Sequence, residues 1–134
     1  MNILKVLTDK RIKGNIAESA VCKYLKRKRY KILYRNYVAD GHEIDIVAET
    51  KEHICFVEVK SRTEGAANPF NMLPRDAVDK KKQESIITAA RVFAGATGGR
   101  KKFRFDVAEV YLKANGGVNE INYIENAFVL KTYR

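Results

Sequence analysis

Two neighbouring segments of the chain, residues 43–48 and 54–60, are rich in β-branched and apolar side chains on both faces of a predicted strand. Strands of this kind lie inside a sheet that is covered on both sides. Each strand nevertheless carries two charged residues that share a face with each other: Glu43 and Asp45 in the first, Glu58 and Lys60 in the second. Unpaired carboxylates are costly to bury and normally occur paired or on metal. The two strands therefore predict a covered sheet with a polar site at one end.

The types and order of these charged residues suit phosphodiester chemistry. Asp45, Glu58 and Lys60 follow the D…ExK arrangement of metal-dependent nucleases. Two carboxylates are suitable ligands for Mg²⁺, with Mn²⁺ as a substitute, because Mg²⁺ keeps several waters and polarises a phosphate. A lysine two positions after the glutamate lies on the same face and can orient the attacking water.

The acid-x-Lys spacing alone is weak evidence, because it recurs at two other places, in a polar connection and on a predicted helix. These are Glu49 with Lys51 and Asp79 with Lys81. Only Glu58 and Lys60 end an apolar strand beside a second strand that carries an acid. A structural ion pair of Lys60 with Asp45 or Glu58 remains the alternative interpretation of the pattern.

Hydrophobic periodicity predicts the rest of an α/β domain in the order α-β-β-β-α-β. Helices are predicted over residues 10–28 and 75–94, the second ended by Gly95, Gly98 and Gly99, with a turn at 36–41 and a loop over 61–74. Strands are predicted over 31–35, 43–48, 54–60 and 103–111, with short ones at 121–124 and 127–130. The 134 residues contain no domain-breaking linker, which indicates a single domain over residues 1–134.

Two helical residues could direct charge towards the same end of the sheet. Glu18 borders the apolar stripe of the first helix, and Lys82 lies within the stripe of the second, between Val78 and Ile86. Each has an ordinary alternative, a helix-edge acid for Glu18 and a snorkelling lysine for Lys82.

The charge of the chain favours a polyanionic partner. Lysine and arginine number 26 against 16 acidic residues, a net charge of +10, and residues 1–40 alone carry +8. Neutralising phosphates releases counterions, so this concentration of charge favours nucleic acid. Lys13, Lys23 and Arg27 are the residues of the first helix expected to contact it. A solubilising surface is the alternative, and a membrane surface is disfavoured because the helix lacks a large Trp/Phe face.

The cysteines and the termini predict a cytoplasmic protein. Cys22 and Cys55 are the only cysteines, too few for a secreted disulfide scaffold of this size, and are expected as buried thiols. No apolar run approaches the roughly 18 residues of a membrane span. The first residues become charged too soon for a signal peptide.

The sequence resembles the YraN-like family of small bacterial proteins, which have a restriction-endonuclease-like, PD-(D/E)xK fold and are related to archaeal Holliday-junction resolvases. The resemblance covers most of the chain, from about Gly14 to Leu112. It is carried by residues in both helices and three strands: Gly14, Glu18, Tyr24, Leu25, Asn36, Gly41, residues 43–48 and 56–62, Ala77, Val78, Lys82 and residues 104–107. His42 is a departure, since the family usually has glycine there.

The resemblance implies a three-layer core with a mixed sheet between helices and a Mg²⁺-dependent endodeoxyribonuclease site. By this resemblance the catalytic residues are Glu18, Asp45, Glu58 and Lys60, and the metal ligands are Asp45, Glu58 and the Val59 carbonyl. Arg62 and Lys82 would contact DNA, with branched or structured DNA as one substrate class. A homodimer is compatible with the resemblance, because related resolvases act as dimers. The alternative from another class is a non-catalytic nucleic-acid-binding module that keeps the fold.

Overall fold

The computed structural model describes residues 3–63, 78–97 and 100–129, with side chains from Arg11 onwards. These residues form two helices and five strands, in the order α-β-β-β-α-β-β. They are α1 (Ile3–Arg27), β1 (Lys31–Ala39), β2 (His42–Glu49), β3 (His53–Thr63), α2 (Lys80–Thr97), β4 (Lys102–Leu112) and β5 (Val118–Phe128).

The five strands form one mixed sheet in the spatial order β1-β2-β3-β4-β5. β3 and β4 are parallel, and every other neighbouring pair is antiparallel. The parallel pair requires a crossover, which α2 provides. α1 covers one face of the sheet and α2 covers the other, so the predicted three-layer α/β fold with a mixed central sheet is confirmed.

The core consists of two apolar layers, one on each face of the sheet. α1 contributes Ala17, Val21 and Leu25 to the first layer, where they pack on strand residues such as Val57. α2 contributes Ile86, Ala89, Ala90 and Phe93 to the second, where Phe93 meets Phe56 edge-to-face at 5.8 Å between centroids. The predicted stripe of the second helix is therefore buried, whereas that of the first is buried at Ala17, Val21 and Leu25 but exposed at Ile12. Cys22 and Cys55 are buried free thiols, as predicted.

The first hairpin is tighter than its predicted turn at residues 36–41. β1 continues to Ala39 and only Asp40 and Gly41 form the loop, with φ values of 51° and 75°. Two consecutive residues with positive φ form the type I′ turn that matches the twist of a hairpin. Asn36, predicted as the start of the turn, lies within β1 but has a left-handed φ of 52°.

Three further predicted boundaries were wrong for local reasons. β3 continues beyond residue 60 because Ser61 and Thr63 still pair with β4. Val78 and Asp79 precede α2, since the Asp79 carboxylate caps the helix by accepting the Lys82 N–H at 2.7 Å. α2 ends at Thr97 and includes Gly95. The other predicted features over residues 64–77, 98–99 and 130 lie outside the described residues.

The two short strands predicted near the C-terminus are one strand, β5. A bulge interrupts its pairing with β4 between Phe105 and Val107, where Asn126 has φ 54° and its N–H donates to Asp106 at 2.9 Å. α1 also begins earlier than predicted, at Ile3. None of the helices in the described parts of the chain has the length and apolar character to cross a bilayer.

Candidate active site at the divergence of two strands

Strands β2 and β3 separate at Asp45. Their backbone pairing runs from Glu49–Ile54 to Ile46–Val57. Beyond that point the Asp45 carboxylate accepts the Val59 N–H at 2.8 Å, so a side chain takes a hydrogen bond that strand pairing would otherwise supply.

The side-chain alternation of β2 changes at the same place. Strict alternation puts Ile44 and Ile46 on one face, but Ile44 packs in the layer below α2 and Ile46 in the layer below α1. The predicted alternation is therefore wrong across Asp45. The irregularity places the Asp45 carboxylate at the edge between the two faces.

Asp45 and Glu58 are neighbouring carboxylates that act on each other's titration. Glu58 is buried, with only 6% of it exposed, whereas Asp45 is partly exposed. Burial first and the charge of Asp45 second raise the pKa of Glu58 to about 8, although Lys82 and Lys60 act in the opposite direction. Burial also raises the pKa of Asp45, against the lowering effect of the Val59 N–H. The pair therefore tends to retain a proton that a cation could replace.

Two lysines flank this pair at distances longer than a hydrogen bond. Lys60 Nζ lies 3.9 Å from Glu58 Oε1, and Lys82 Nζ lies 4.0 Å from Glu58 Oε2. Both separations exceed a hydrogen bond, and Glu58 Oε2 is buried with no hydrogen-bond partner. The lysines are about one-third exposed. The Glu58–Lys60 ion pair considered from the sequence is therefore present, but it is long, and with the Lys82 contact added Glu58 Oε2 still has no hydrogen-bond partner.

The donor set suits a hard divalent cation that keeps much of its water. Within the described ranges, no three Asp, Glu, His or Cys side chains are grouped as a metal cage. Mg²⁺ commonly takes only one or two carboxylates and fills its remaining positions with water and substrate oxygens. The carboxylates of Asp45 and Glu58, the latter with a free buried oxygen, fit that requirement, and Val59 is the adjacent source of a backbone carbonyl.

Glu18 approaches the site from α1. Its Oε2 atom lies 3.6 Å from Arg35 Nη2. Burial and the charge of Asp45 raise the pKa of Glu18, whereas Arg35 and Asn36 lower it. The structure thus brings four predicted catalytic residues and Lys82 to one end of the sheet: Glu18, Asp45, Glu58 and Lys60 from α1, β2 and β3, with Lys82 from α2.

Two site residues were missed from the sequence as functional groups, Arg35 and Glu43. When the Asn36 amide is assigned with its nitrogen towards them, that nitrogen lies 3.2 Å from Glu18 Oε1 and 3.0 Å from Glu43 Oε1. For Glu43, the sequence offered one signal, its position two residues before Asp45 in the same predicted strand. For Arg35 it offered none, because the contact with Glu18 joins β1 to α1.

His42 ties the start of β2 to α2. Its Nδ1 atom lies 2.6 Å from Ser85 Oγ, and Ser85 is one helical turn beyond Lys82. This contact joins β2 to the helix that carries Lys82.

The basic residues predicted to contact DNA fall into two regions. Arg62 follows Lys60 on β3 and donates to the Ser61 carbonyl at 3.1 Å. Lys13, Lys23 and Arg27 stand about 140–180° around α1 from Glu18 at 3.6 residues per turn. The structure does not bring these three to the carboxylates.

Two of these helical residues border a separate groove between α1 and β5. Its volume is about 620 Å³, and Lys23 and Arg27 line it together with Ile16, Tyr24 and Ile121. Two of the predicted DNA-contacting residues therefore border a mainly apolar groove away from the candidate site.

Comparison with known proteins places the chain in a family. The profile of the Uncharacterised protein family UPF0102 matches residues 17–110. A UPF0102 protein of Acetivibrio thermocellus is 40% identical over 125 residues, covering 90% of this chain and 93% of the relative.

Two other relatives show the same extent of similarity. A UPF0102 protein of Caldanaerobacter subterraneus subsp. tengcongensis is 39% identical, with 90% of this chain and 97% of the relative covered. One from Geobacter metallireducens is 42% identical, with 87% and 92% covered. The matched region contains Glu18, Asp45, Glu58 and Lys60. The chain belongs to the UPF0102 family, the YraN-like family that its sequence resembles.

Proposed function

We propose that this protein is a divalent-metal-dependent endonuclease that hydrolyses phosphodiester bonds in DNA. The observation that carries the proposal is the Asp45–Glu58 pair at the point where two strands diverge, in which Glu58 is buried and its Oε2 atom has no hydrogen-bond partner. A protein gains nothing in stability from two adjacent carboxylates of raised pKa. A bound cation would relieve their repulsion, and perturbed groups of this kind cluster at functional sites.

Each residue of the site has a distinct role in this proposal. Asp45 and Glu58, with the Val59 carbonyl, would hold Mg²⁺ or Mn²⁺. When bound, such an ion would polarise the phosphate of the substrate and activate a water molecule for attack. Lys60, one-third exposed beside Glu58, would orient the water, and Lys82 would contact a phosphate oxygen from the α2 side.

The charge of the chain supports a nucleic acid as substrate. The net charge of +10 favours a polyanion without base recognition, because phosphate contacts bind but do not read sequence. DNA is the proposed substrate, with branched DNA included because the family resembles resolvases, and the cytoplasm is the proposed location.

Cleavage assays with a matched pair of variants test the proposal. Purified protein is incubated with Mn²⁺ or Mg²⁺ and single-stranded, duplex, flap and four-way-junction DNA. Glu58→Gln removes the charge of the proposed ligand. Glu49→Gln makes the same change in the other strand-borne acid-x-Lys sequence, where Glu49 contacts Lys101 at 3.3 Å instead.

The wild type and Glu49→Gln are expected to cleave at least one substrate. Glu58→Gln and the wild type in EDTA are expected to cleave none. Cleavage by Glu58→Gln at the wild-type rate would contradict the proposed site. DNA binding without cleavage of any substrate would instead indicate the non-catalytic binding module.

A further inference from the structure

Asn36 has an unusual backbone conformation in the middle of β1. Its φ is 52°, in the left-handed region. Its neighbours in β1 pair with Ile46 and Ile44, so Asn36 stands opposite Asp45. Left-handed residues within strands are uncommon, and asparagine is among the few L residues that tolerate this conformation.

The side chain of Asn36 bridges two carboxylates on different elements. Assigning the amide nitrogen to the side that faces both carboxylates places one N–H towards Glu18 Oε1 on α1, at 3.2 Å from the nitrogen, and the other towards Glu43 Oε1 on β2, at 3.0 Å. An amide nitrogen has two N–H donors, which is the number this bridge requires. The opposite orientation of the amide would face its oxygen to acceptors only.

Glu18 also has a competing partner. Arg35 Nη2 lies 3.6 Å from Glu18 Oε2, and the Arg35 side chain is 39% exposed. An exposed arginine side chain can move with the Glu18 carboxylate, so Arg35 does not fix the direction in which that carboxylate faces. The amide of Asn36 is the contact that fixes it.

We infer that Asn36 is a positioning residue, whose amide holds the Glu18 carboxylate beside Asp45. Its consequence for catalysis rests on the proposed function. A residue selected only for the left-handed conformation would be glycine, which adopts it without penalty. Backbone strain retained in an exposed strand residue is typical of functional sites.

The chain offers a matched control for the backbone conformation. Asn126 has φ 54° in the β5 bulge, where its contact with Asp106 uses the backbone N–H. Asn126→Gly therefore makes the same chemical change at the same conformation without touching the site. The test compares it with Asn36→Gly, Glu18→Ala and the double variant that combines the last two.

In DNA cleavage at saturating Mg²⁺, Asn36→Gly is expected to lower kcat at least about tenfold with little change in KM, as misplacement of a catalytic group does. Asn126→Gly is expected to keep the wild-type kcat. Because Asn36 acts through Glu18, the double variant is expected to be no slower than Glu18→Ala. Additive losses in kcat, or equal values for Asn36→Gly and Asn126→Gly, would overturn the inference.

A second measurement does not depend on cleavage. The same variants are unfolded by denaturant in EDTA, where the bridge predicts that the effects of Asn36→Gly and Glu18→Ala are non-additive. If the wild type cleaves no DNA but this coupling is present, the proposed function fails while the bridge stands. If the two effects on unfolding are additive, the bridge itself is contradicted.

Discussion

Glu58 shows how the site departs from an ordinary polar surface. Its carboxylate is buried and adjacent to Asp45, and its pKa is raised to about 8. In the unfolded chain the same group titrates near its usual value, so between these two values the folded state binds the additional proton. The free energy of unfolding therefore falls as pH rises through this range.

The metal-free protein is accordingly predicted to lose stability between about pH 5 and pH 8, by on the order of 2–4 kcal/mol. Denaturant unfolding in EDTA across this range measures the loss. Glu58→Gln removes the titrating group and should flatten the curve, whereas Glu49→Gln should follow the wild type. An equal slope in Glu58→Gln would show that other groups cause the pH dependence.

At the scale of elements, a second buried carboxylate has the opposite character. Asp106 is fully buried. It accepts two bonds from Arg104 Nε and one from Nη2, at 2.9–3.1 Å, and one from Tyr123 Oη at 2.5 Å. Arg104 also donates to Tyr30 Oη, beyond the end of α1. The Asp106 carboxylate is therefore fully paired, and the network joins β4 and β5 to the segment between α1 and β1.

Asp106→Asn is therefore predicted to destabilise the fold by roughly 3–5 kcal/mol, because it leaves the Arg104 charge poorly paired. Equilibrium unfolding measures the loss, and cleavage per folded molecule should stay at the wild-type level. A loss below about 1 kcal/mol would contradict the role given to the network.

Sequence-based prediction succeeded where the pattern is local and failed where a conformation depends on contacts with a distant part of the chain. The two apolar strands with their acids, and the helix stripes ending at Leu25 and Phe93, predicted the layers and the site because their patterns are local. The positive φ of Asn36 and the bulge at Asn126 were not predicted, since each is associated with contacts to another element. The short turn could have been found from the Asp40-Gly41 pair, a strong hairpin signal.

At the scale of the whole molecule, the positive charge predicts salt-dependent DNA binding. Raising salt from 50 to 200 mM should weaken binding at least about tenfold when several phosphates are contacted. A fluorescence anisotropy titration at several salt concentrations measures the slope, and a flat response would remove nucleic acid from the expected partners.

The groove beside α1 is lined by two predicted DNA-contacting residues, Lys23 and Arg27, that lie away from the candidate active site. Replacing Lys23 and Arg27 by glutamine should lower both DNA affinity and the salt slope if the groove surface contacts DNA. Single-turnover cleavage of bound DNA should remain unchanged, because both residues lie on the side of α1 away from Glu18. A slower cleavage step in this variant would contradict that separation.

Asp45 and Glu58 are proposed to form a cation site, in which charge repulsion destabilises the metal-free protein. A structural ion pair with Lys60 would instead stabilise it. Unfolding of the wild type and Asp45→Asn, each with and without Mg²⁺, distinguishes the two. Asparagine keeps an oxygen that can accept the Val59 N–H, while it removes the charge that repels Glu58.

Asp45→Asn is expected to be as stable as the wild type or more stable in EDTA. Mg²⁺ at about 100 times its dissociation constant is expected to stabilise the wild type by about 2.7 kcal/mol, and the variant by much less. A loss of about 1–3 kcal/mol in Asp45→Asn, together with no response of the wild type to Mg²⁺, would contradict the proposed cation site.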